Sequence, residues 1–269
     1  MAARSRKPLN TFLFENLSRK RGIMHFISTR DGGVSKPPFD TLNLSFNVSD
    51  DPEHVLSNRK LLSSALGFKL EGLTVAKQVH GNKVALVTDK MRGKGSIDHS
   101  SALDDTDAMI TNTPGIMLMI QVADCVPLLF FDAKRKVIAV AHAGWRGTVL
   151  SIAKHTVESM VKRFRSDPRD IYVGIGPSIG PCCYEVGHEV IKEVEKNLKN
   201  AKDLIKVKYG SAYFDLWEAN KRQLIDSGIP LSNIEVSGIC TNCNSNTFFS
   251  SRAGKGVTGR FGAGIMLAN

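Results

Sequence analysis

Runs of apolar residues along the chain predict a series of buried strands. The segments 115–122, 126–131 and 136–142 are apolar at almost every position, with no regular alternation of apolar and polar residues. A strand that is covered on both faces has this composition, whereas a half-exposed strand alternates. We therefore expect three core strands in the middle of the chain.

Two shorter segments before them predict a hairpin. Residues 73–80 and 84–88 are rich in valine and threonine, and Gly81 and Asn82 lie between them. Glycine and asparagine suit the positive φ angles of a tight β turn. The pattern predicts two antiparallel strands joined by that turn.

Capping residues and apolar spacing predict helices. Asp50 or Asp51 is placed to cap a helix over 51–66, which Gly67 ends. Residues 148–164 carry apolar side chains three and four positions apart, the spacing of one helix face.

A third helix is predicted where Asp215 precedes Glu218 by three residues, as in a capping box, and it extends to about Ser227. Strands alternating with helices indicate an α/β or α+β fold, a single compact domain in which helices cover a mixed sheet. We place this domain at 23–269, after a basic tail and first strand at 1–22.

Composition and charge narrow the class of protein. The 269 residues carry a formal net charge of +10, which favours phosphate-bearing partners. Aromatic residues are only 7%, and no arginine–aromatic interleaving is present, so nucleic-acid binding is disfavoured. The longest apolar runs fall well short of the roughly 18 residues that a membrane-spanning helix needs.

The cysteines indicate a reducing compartment. Their number, five, is odd, and no apolar stretch of signal-peptide length opens the chain. A disulfide framework is therefore not expected. We expect a cytoplasmic protein whose cysteines are thiols, metal ligands or nucleophiles, and the sequence leaves the oligomeric state open.

Reactive side chains interrupt or end the apolar segments at three places. His80 stands before a glycine, Cys125 follows Asp124 inside a core run, and His142 ends a buried strand. Side chains at strand ends beside glycines are where α/β enzymes usually carry out chemistry. Two imidazoles and a thiolate suit a zinc ion with an open fourth position. The same residues also suit a cysteine nucleophile with a histidine base.

A candidate anion site follows His142. In the turn AGWRG, glycines allow a ligand to approach the backbone, and Arg146 offers a planar pair of donors at the start of a predicted helix. Further candidates for polar recognition of a substrate or phosphate are Arg30, Asn43 and Arg260.

Four other cysteines resemble parts of a zinc knuckle. Cys182 and Cys183 are adjacent, and Cys240 and Cys243 form a CxxC pair. Adjacent cysteines do not fit the usual chelate spacing, and no His-x-Glu sequence precedes the Pro-Cys pair as in nucleobase deaminases. Packing or loop shaping is the interpretation that we favour for these four.

At these residues the sequence resembles a known family. The resemblance extends from about residue 26 to the end, and it depends on STRDGGVS, LNLSFNVSDD, QVHG, DAMIT, ADCVPL, VAHAGWRG, GPSIGPCCYEVG, the CT of CTNC, FFS and TGR. The family is the laccase-domain or polyphenol oxidase (YfiH-like) family, whose members are described as multifunctional purine nucleoside phosphorylases.

The resemblance implies a zinc site, with copper as an alternative, whose ligands match His80, Cys125 and His142. It implies phosphorolysis of adenosine, inosine and methylthioadenosine to base and ribose 1-phosphate, and deamination of adenosine. The implied partners are purine nucleosides and phosphate, and the implied fold is similar to a group of proposed cysteine hydrolases. The family often has Tyr-Arg-Arg after FFS, where this chain has Ser251, Arg252 and Ala253.

Three other hypotheses use the same residues. The first is a metal-free hydrolase with Cys125 as nucleophile, such as an amidase acting on cell-wall precursor peptides. The second is a copper-dependent polyphenol oxidoreductase, with Met117 or Met119 as a loose extra ligand. Seven histidines without a His-x-His pair are too few for a four-copper laccase. The third is a basic binding protein with a vestigial site.

Overall fold

The structure, a computed structural model, describes residues 8–268. The first seven residues of the predicted basic tail lie outside this range. Its strands are β1 Thr11–Phe12, β2 Ile23–Ser28, β3 Leu73–Thr74, β4 Val84–Leu86, β5 Ala108–Thr111, β6 Met117–Val122, β7 Val126–Asp132, β8 Val137–Ala143, β9 Ile171–Ile175, β10 Glu185–Val186, β11 Ile205–Lys208, β12 Ser211–Phe214, β13 Ile234–Val236 and β14 Phe261–Leu267. Its helices are α1 Glu15–Ser18, α2 Pro52–Leu66, α3 Trp145–Val149, α4 Ile152–Phe164, α5 His188–Asn197 and α6 Leu216–Asp226.

Two large mixed sheets form the centre of the fold. The six-stranded sheet has the order β13-β9-β7-β8-β5-β4, and the five-stranded sheet has the order β1-β2-β14-β6-β3. Each sheet contains both parallel and antiparallel neighbours. A small three-stranded sheet, β10-β12-β11, lies apart from them.

The side chains between these elements define four layers. Leu118 and Ile120 of β6 share one apolar cluster with Leu129 of β7 and Val140 of β8, so the two large sheets pack face to face. The outer face of the six-stranded sheet packs against α4 and α6 in a second cluster. The outer face of the five-stranded sheet is covered by α2 through Leu62. The mixed α/β fold is confirmed, with two stacked sheets where the sequence predicted one.

The three predicted core strands are confirmed as β6, β7 and β8. All residues of β7 and β8 are buried, as are all of β6 except Gln121. β7 and β8 are the two central strands of the six-stranded sheet, and β6 lies in the sheet beneath them. Burial on both faces explains why these segments are apolar without alternation.

The predicted hairpin over 73–88 is wrong. β3 pairs with β6 in one sheet and β4 pairs with β5 in the other, so the two segments separate instead of pairing. The turn between them is held from outside: the Asp107 carboxylate accepts hydrogen bonds from the backbone N–H groups of Val79, His80 and Gly81. A long-range acceptor thus replaces the cross-strand bonds of a hairpin.

Two predicted helices are confirmed and one is divided. α2 begins after Asp51, whose side chain caps Glu53, and it ends at Gly67 with a φ of 74°. α6 begins with the Asp215 side chain accepting from the Glu218 N–H, and Ser227 ends it. The region predicted as one helix over 148–164 is α3 and α4, because Ser151 adopts a φ of 61° between them.

Within residues 8–268, none of the helices combines the length and the apolar character that crossing a bilayer requires.

Candidate metal centre

One strand and two loops bring His80, Cys125 and His142 together. His142 lies in β8 opposite Pro127 of β7, and Cys125 immediately precedes that strand. His80 follows β3 in a loop and has a φ of 61°. One ligand atom from each of the three side chains lies within 4.8 Å of the other two. The three residues that the sequence singled out therefore share one site.

The three side chains differ in their exposure to solvent. His142 is buried, Cys125 is partly buried and His80 is exposed. The two imidazole rings meet edge to face, with centroids 4.8 Å apart. All three side chains line one cleft.

Asp107 organises the two histidines, and the sequence analysis did not identify its role. Its Oδ1 lies 2.8 Å from Nδ1 of His142, and the same carboxylate accepts the backbone N–H of His80. It is itself almost fully buried, immediately before β5. A carboxylate bound to one ring nitrogen orients the imidazole and directs the other nitrogen, Nε2, at a metal.

The charges of the trio stabilise one another. Burial alone would raise the pKa of the Cys125 thiol, but the charge of His142 and hydrogen bonds from both histidines outweigh burial and lower that pKa to about 6. Burial alone would lower the pKa of the His142 imidazole. The Cys125 thiolate and Asp107 outweigh burial and raise that pKa to about 9. Without a metal, the site is a thiolate–imidazolium pair backed by a carboxylate.

Gly144 leaves room for the trio. A Cβ atom at this position would lie 3.0 Å from both Sγ of Cys125 and Cδ2 of His80. The residue is also the N-cap of α3, with an extended backbone at φ −66° that any residue can adopt. Glycine is needed at this position because a side chain would crowd Cys125 and His80, and not because of the backbone conformation.

The trio faces a cavity of about 490 Å³, a volume typical of a small-molecule site. Its lining combines the trio with cationic, amide and aromatic side chains. Besides the trio, its polar and aromatic lining includes Gln78, Gln121, Asp124, Tyr184, Ser251, Arg252, Lys255 and Arg260.

Asp124 connects Cys125 to the opposite wall of the cavity. It has a φ of 85°, and its carboxylate accepts hydrogen bonds of 2.6 Å from the Thr241 hydroxyl and from the backbone N–H of Arg252. The left-handed backbone at this residue turns the chain between β6 and β7 so that Asp124 faces the wall while Cys125 faces the histidines.

Of the four residues predicted to bind substrate or phosphate, the structure places Arg260 in the cavity wall. Arg30 instead donates to the carbonyls of Asp40 and Ser245. Asn43 is fully buried and connects the loop at Ser45 to the backbone N–H of Arg260. These two side chains hold loops together and are absent from the cavity lining.

Arg146 also lies outside the cavity lining. α3 begins at Trp145, earlier than the sequence predicted, and it is only five residues long. The guanidinium lies over the Trp145 ring at 4.4 Å and is more than half exposed, 4.0 Å from Glu189. Arg146, predicted to bind an anion at this helix start, thus contacts Trp145 and Glu189 and does not face the trio's cavity.

The methionines considered as extra copper ligands lie elsewhere. Met117 and Met119 point away from the trio, into the apolar cluster between the five-stranded sheet and α2. β6 has this face covered by Leu62 and Phe68. Because both methionine side chains of β6 point away from the trio, neither can be a copper ligand there.

The donor set fits a transition metal. Two imidazoles and one low-pKa thiol within 4.8 Å supply three ligands and leave a fourth position towards the cavity. The buried carboxylate behind His142 is the usual outer partner of such a ligand. His80, Cys125 and His142 are the residues that would hold the ion.

Comparison with known proteins agrees with this architecture. Residues 24–268 match the family described as multi-copper polyphenol oxidoreductase laccase. The chain is 41% identical over 241 residues to purine nucleoside phosphorylase YlmD of Geobacillus stearothermophilus, covering 89% of this chain and 88% of that protein. It is 36% identical to an adenosine deaminase of an unknown prokaryotic organism, covering 86% and 88% respectively.

A solved structure supports the same relationship. The crystal structure of YlmD from Geobacillus stearothermophilus matches with a TM-score of 0.89 at 40% identity, covering 93% of each chain. The chain therefore belongs to the multi-copper polyphenol oxidoreductase laccase family and is an enzyme of this laccase-domain family.

Proposed function

We propose that the chain is a metal-dependent purine nucleoside phosphorylase that also deaminates adenosine. The observation that carries the proposal is the His80–Cys125–His142 trio in the lining of a cavity that also presents Arg252, Lys255 and Arg260. The names of the relatives supply the substrate class: purine nucleosides and phosphate. Adenosine, inosine and methylthioadenosine are the substrates that we propose, in a cytoplasmic setting.

Cationic side chains of the cavity would hold the phosphate. Phosphorolysis forms a bond between a phosphate oxygen and C1′ of the ribose while the C1′–N9 bond breaks and its electron pair passes to the purine. Lys255 and Arg260, which line the cavity, would neutralise the attacking anion and hold it in position. Burial lowers the pKa of Arg260, and the nearby Cys125 and Asp124 oppose this shift.

Tyr184 would contact the purine. Burial raises the pKa of its phenol well above the ordinary value, so the hydroxyl keeps its proton and can donate a hydrogen bond. Its ring offers an apolar face in the cavity wall for the base.

The trio would hold zinc, or copper in its place. When bound, the ion supplies Lewis-acid activation of a water or of a substrate atom, the chemistry that deamination at C6 requires. The role of Asp107 is to fix the His142 ring and the His80 backbone before any ligand arrives.

The test is product analysis of adenosine incubated with and without phosphate. Phosphorolysis predicts adenine and ribose 1-phosphate only when phosphate is present. Deamination predicts inosine under both conditions. Failure of zinc-loaded protein to form either product would overturn the proposal.

A second candidate is a cysteine hydrolase, and one observation favours it. Cys125, His142 and Asp107 have the arrangement and the pKa shifts of a nucleophile, a base and an orienting carboxylate. An amide of a small peptide would be its substrate. Rapid alkylation of Cys125 that abolishes amidase activity without changing metal content would support this alternative.

A further inference from the structure

A second group of sulfur atoms lies outside the trio. Cys182, Cys183, Cys240 and Cys243 all have their Sγ atoms within 4.8 Å of one another, and all four are free cysteines. The adjacent Cys182 and Cys183 both face Cys243, whose Sγ lies 3.7 Å from that of Cys182 and 3.4 Å from that of Cys183.

These distances fit tetrahedral coordination. With metal–sulfur bonds of about 2.3 Å, a regular tetrahedron of thiolates has edges of about 3.8 Å. The two Sγ–Sγ separations at Cys243 are close to this value. Four cysteines in this arrangement are the ligand set of structural zinc sites.

The backbone holds the cluster in place independently of a ligand. Ser178 and Cys240 form an isolated parallel bridge, which fixes the loop after β9 against the loop after β13. The N–H of Gly180 donates to Sγ of Cys240 at 3.3 Å. A Cβ at Gly180 would lie 3.2 Å from the Cys240 Cβ and closer still to Trp217, so the glycine permits this approach. Amide donors to a sulfur ligand are typical partners of metal-bound thiolates.

One cation lies beside the cluster, which would carry two negative charges as four thiolates around a divalent ion. The guanidinium of Arg252 donates to the backbone carbonyls of Cys183 and Glu185 at 3.1 Å and 3.0 Å. The Arg252 guanidinium thus lies against the loop that carries Cys182 and Cys183.

We propose that these four cysteines bind a structural zinc ion separate from the His80–Cys125–His142 centre. The two loops that it joins also carry Tyr184 and Arg252 of the cavity wall. The ion would therefore fix one wall of the cavity and take no part in the reaction. The proposal stands or fails independently of the nucleoside chemistry, because its readout is metal content.

The test counts zinc in protein purified anaerobically. Wild-type protein is expected to hold about two zinc ions per chain, and Cys125→Ser about one. The double variant Cys240→Ser with Cys243→Ser is expected to lose one ion and to retain the one at the trio. The Cys125→Ser variant retains all four cysteines of the cluster. Its zinc content therefore tests the proposal even if the double variant does not fold.

Cobalt substitution identifies the ligands. With Co²⁺ in Cys125→Ser protein, sulfur-to-metal charge-transfer absorption has to come from the four-cysteine cluster, and adding the double substitution should remove it. Folded Cys125→Ser protein without metal would overturn the proposal. So would a disulfide between Cys243 and either neighbour in the anaerobic protein, with zinc at the trio only.

Discussion

At the scale of single residues, the site depends on a carboxylate that the sequence does not single out. Asp107 stands among Asp104 and Asp105 in SALDDTDAM, and nothing in residue type distinguishes it. The structure gives it four hydrogen bonds to the turn at 79–81 and to the His142 ring. His80, Cys125 and His142 were predictable because they interrupt or end apolar segments, whereas Asp107 acts through contacts more than 25 residues away in sequence.

Asp107→Asn tests this role. Loss of the charge removes the partner that orients His142, so zinc affinity is expected to fall roughly 10- to 100-fold. Competition with a chelating dye measures the affinity. Asp105→Asn, on the exposed part of the same segment, is the matched control and should bind as the wild type does. Unchanged affinity in Asp107→Asn would contradict the assigned role.

Metal-stripped protein should show an unusually reactive Cys125. Its pKa is lowered to about 6, so the thiolate is present above that pH and is lost as the pH falls through it. The rate of iodoacetamide modification of Cys125, followed by peptide mass spectrometry, should have its midpoint near pH 6. His142→Gln should move the midpoint upward, towards the value of an ordinary thiol. A wild-type midpoint above pH 8 would show that the ion pair does not form.

At the scale of elements, β8 and two loops that connect the large sheets place the trio. The core strands could be predicted because burial on both faces leaves a clear apolar signal in β6, β7 and β8. The hairpin could not, because its two segments look alike locally while their partners, β6 and β5, lie far along the chain. The break at Ser151 was also missed, since apolar spacing continues through it.

Gly144→Ala tests the approach of α3 to the trio. The added methyl would crowd Cys125 and His80 at 3.0 Å, and we expect roughly a tenfold or greater loss of zinc affinity. Gly187→Ala is the matched control, because Gly187 caps α5 with a similar extended backbone and has no atom within 4 Å of the added position. Equal metal affinity of the two variants would refute the steric account.

At the scale of the whole molecule, the N-terminal segment is fastened to the sheets by a buried histidine. His25 of β2 accepts a hydrogen bond from the Phe14 N–H at 2.9 Å, and this requires a neutral Nε2. Burial lowers the pKa of His25 to about 4.

The folded chain should therefore lose stability in acid. The folded-state pKa lies below the unfolded value of about 6.5, so this contribution is complete above pH 6.5 and is lost as the pH falls towards 4. The loss should reach about 3 kcal/mol. Urea unfolding at several pH values measures it, and His25→Gln, which can accept the same bond, should flatten the curve over this range. An unchanged slope in the variant would mean that another group is responsible.

Metal dependence is tested by adenosine turnover in protein whose metal has been removed and then restored. We predict that the stripped enzyme forms neither adenine nor inosine in the presence of phosphate. Adding zinc should restore product formation in the wild type but not in Cys125→Ser. Undiminished turnover by protein shown to be metal-free would contradict the account.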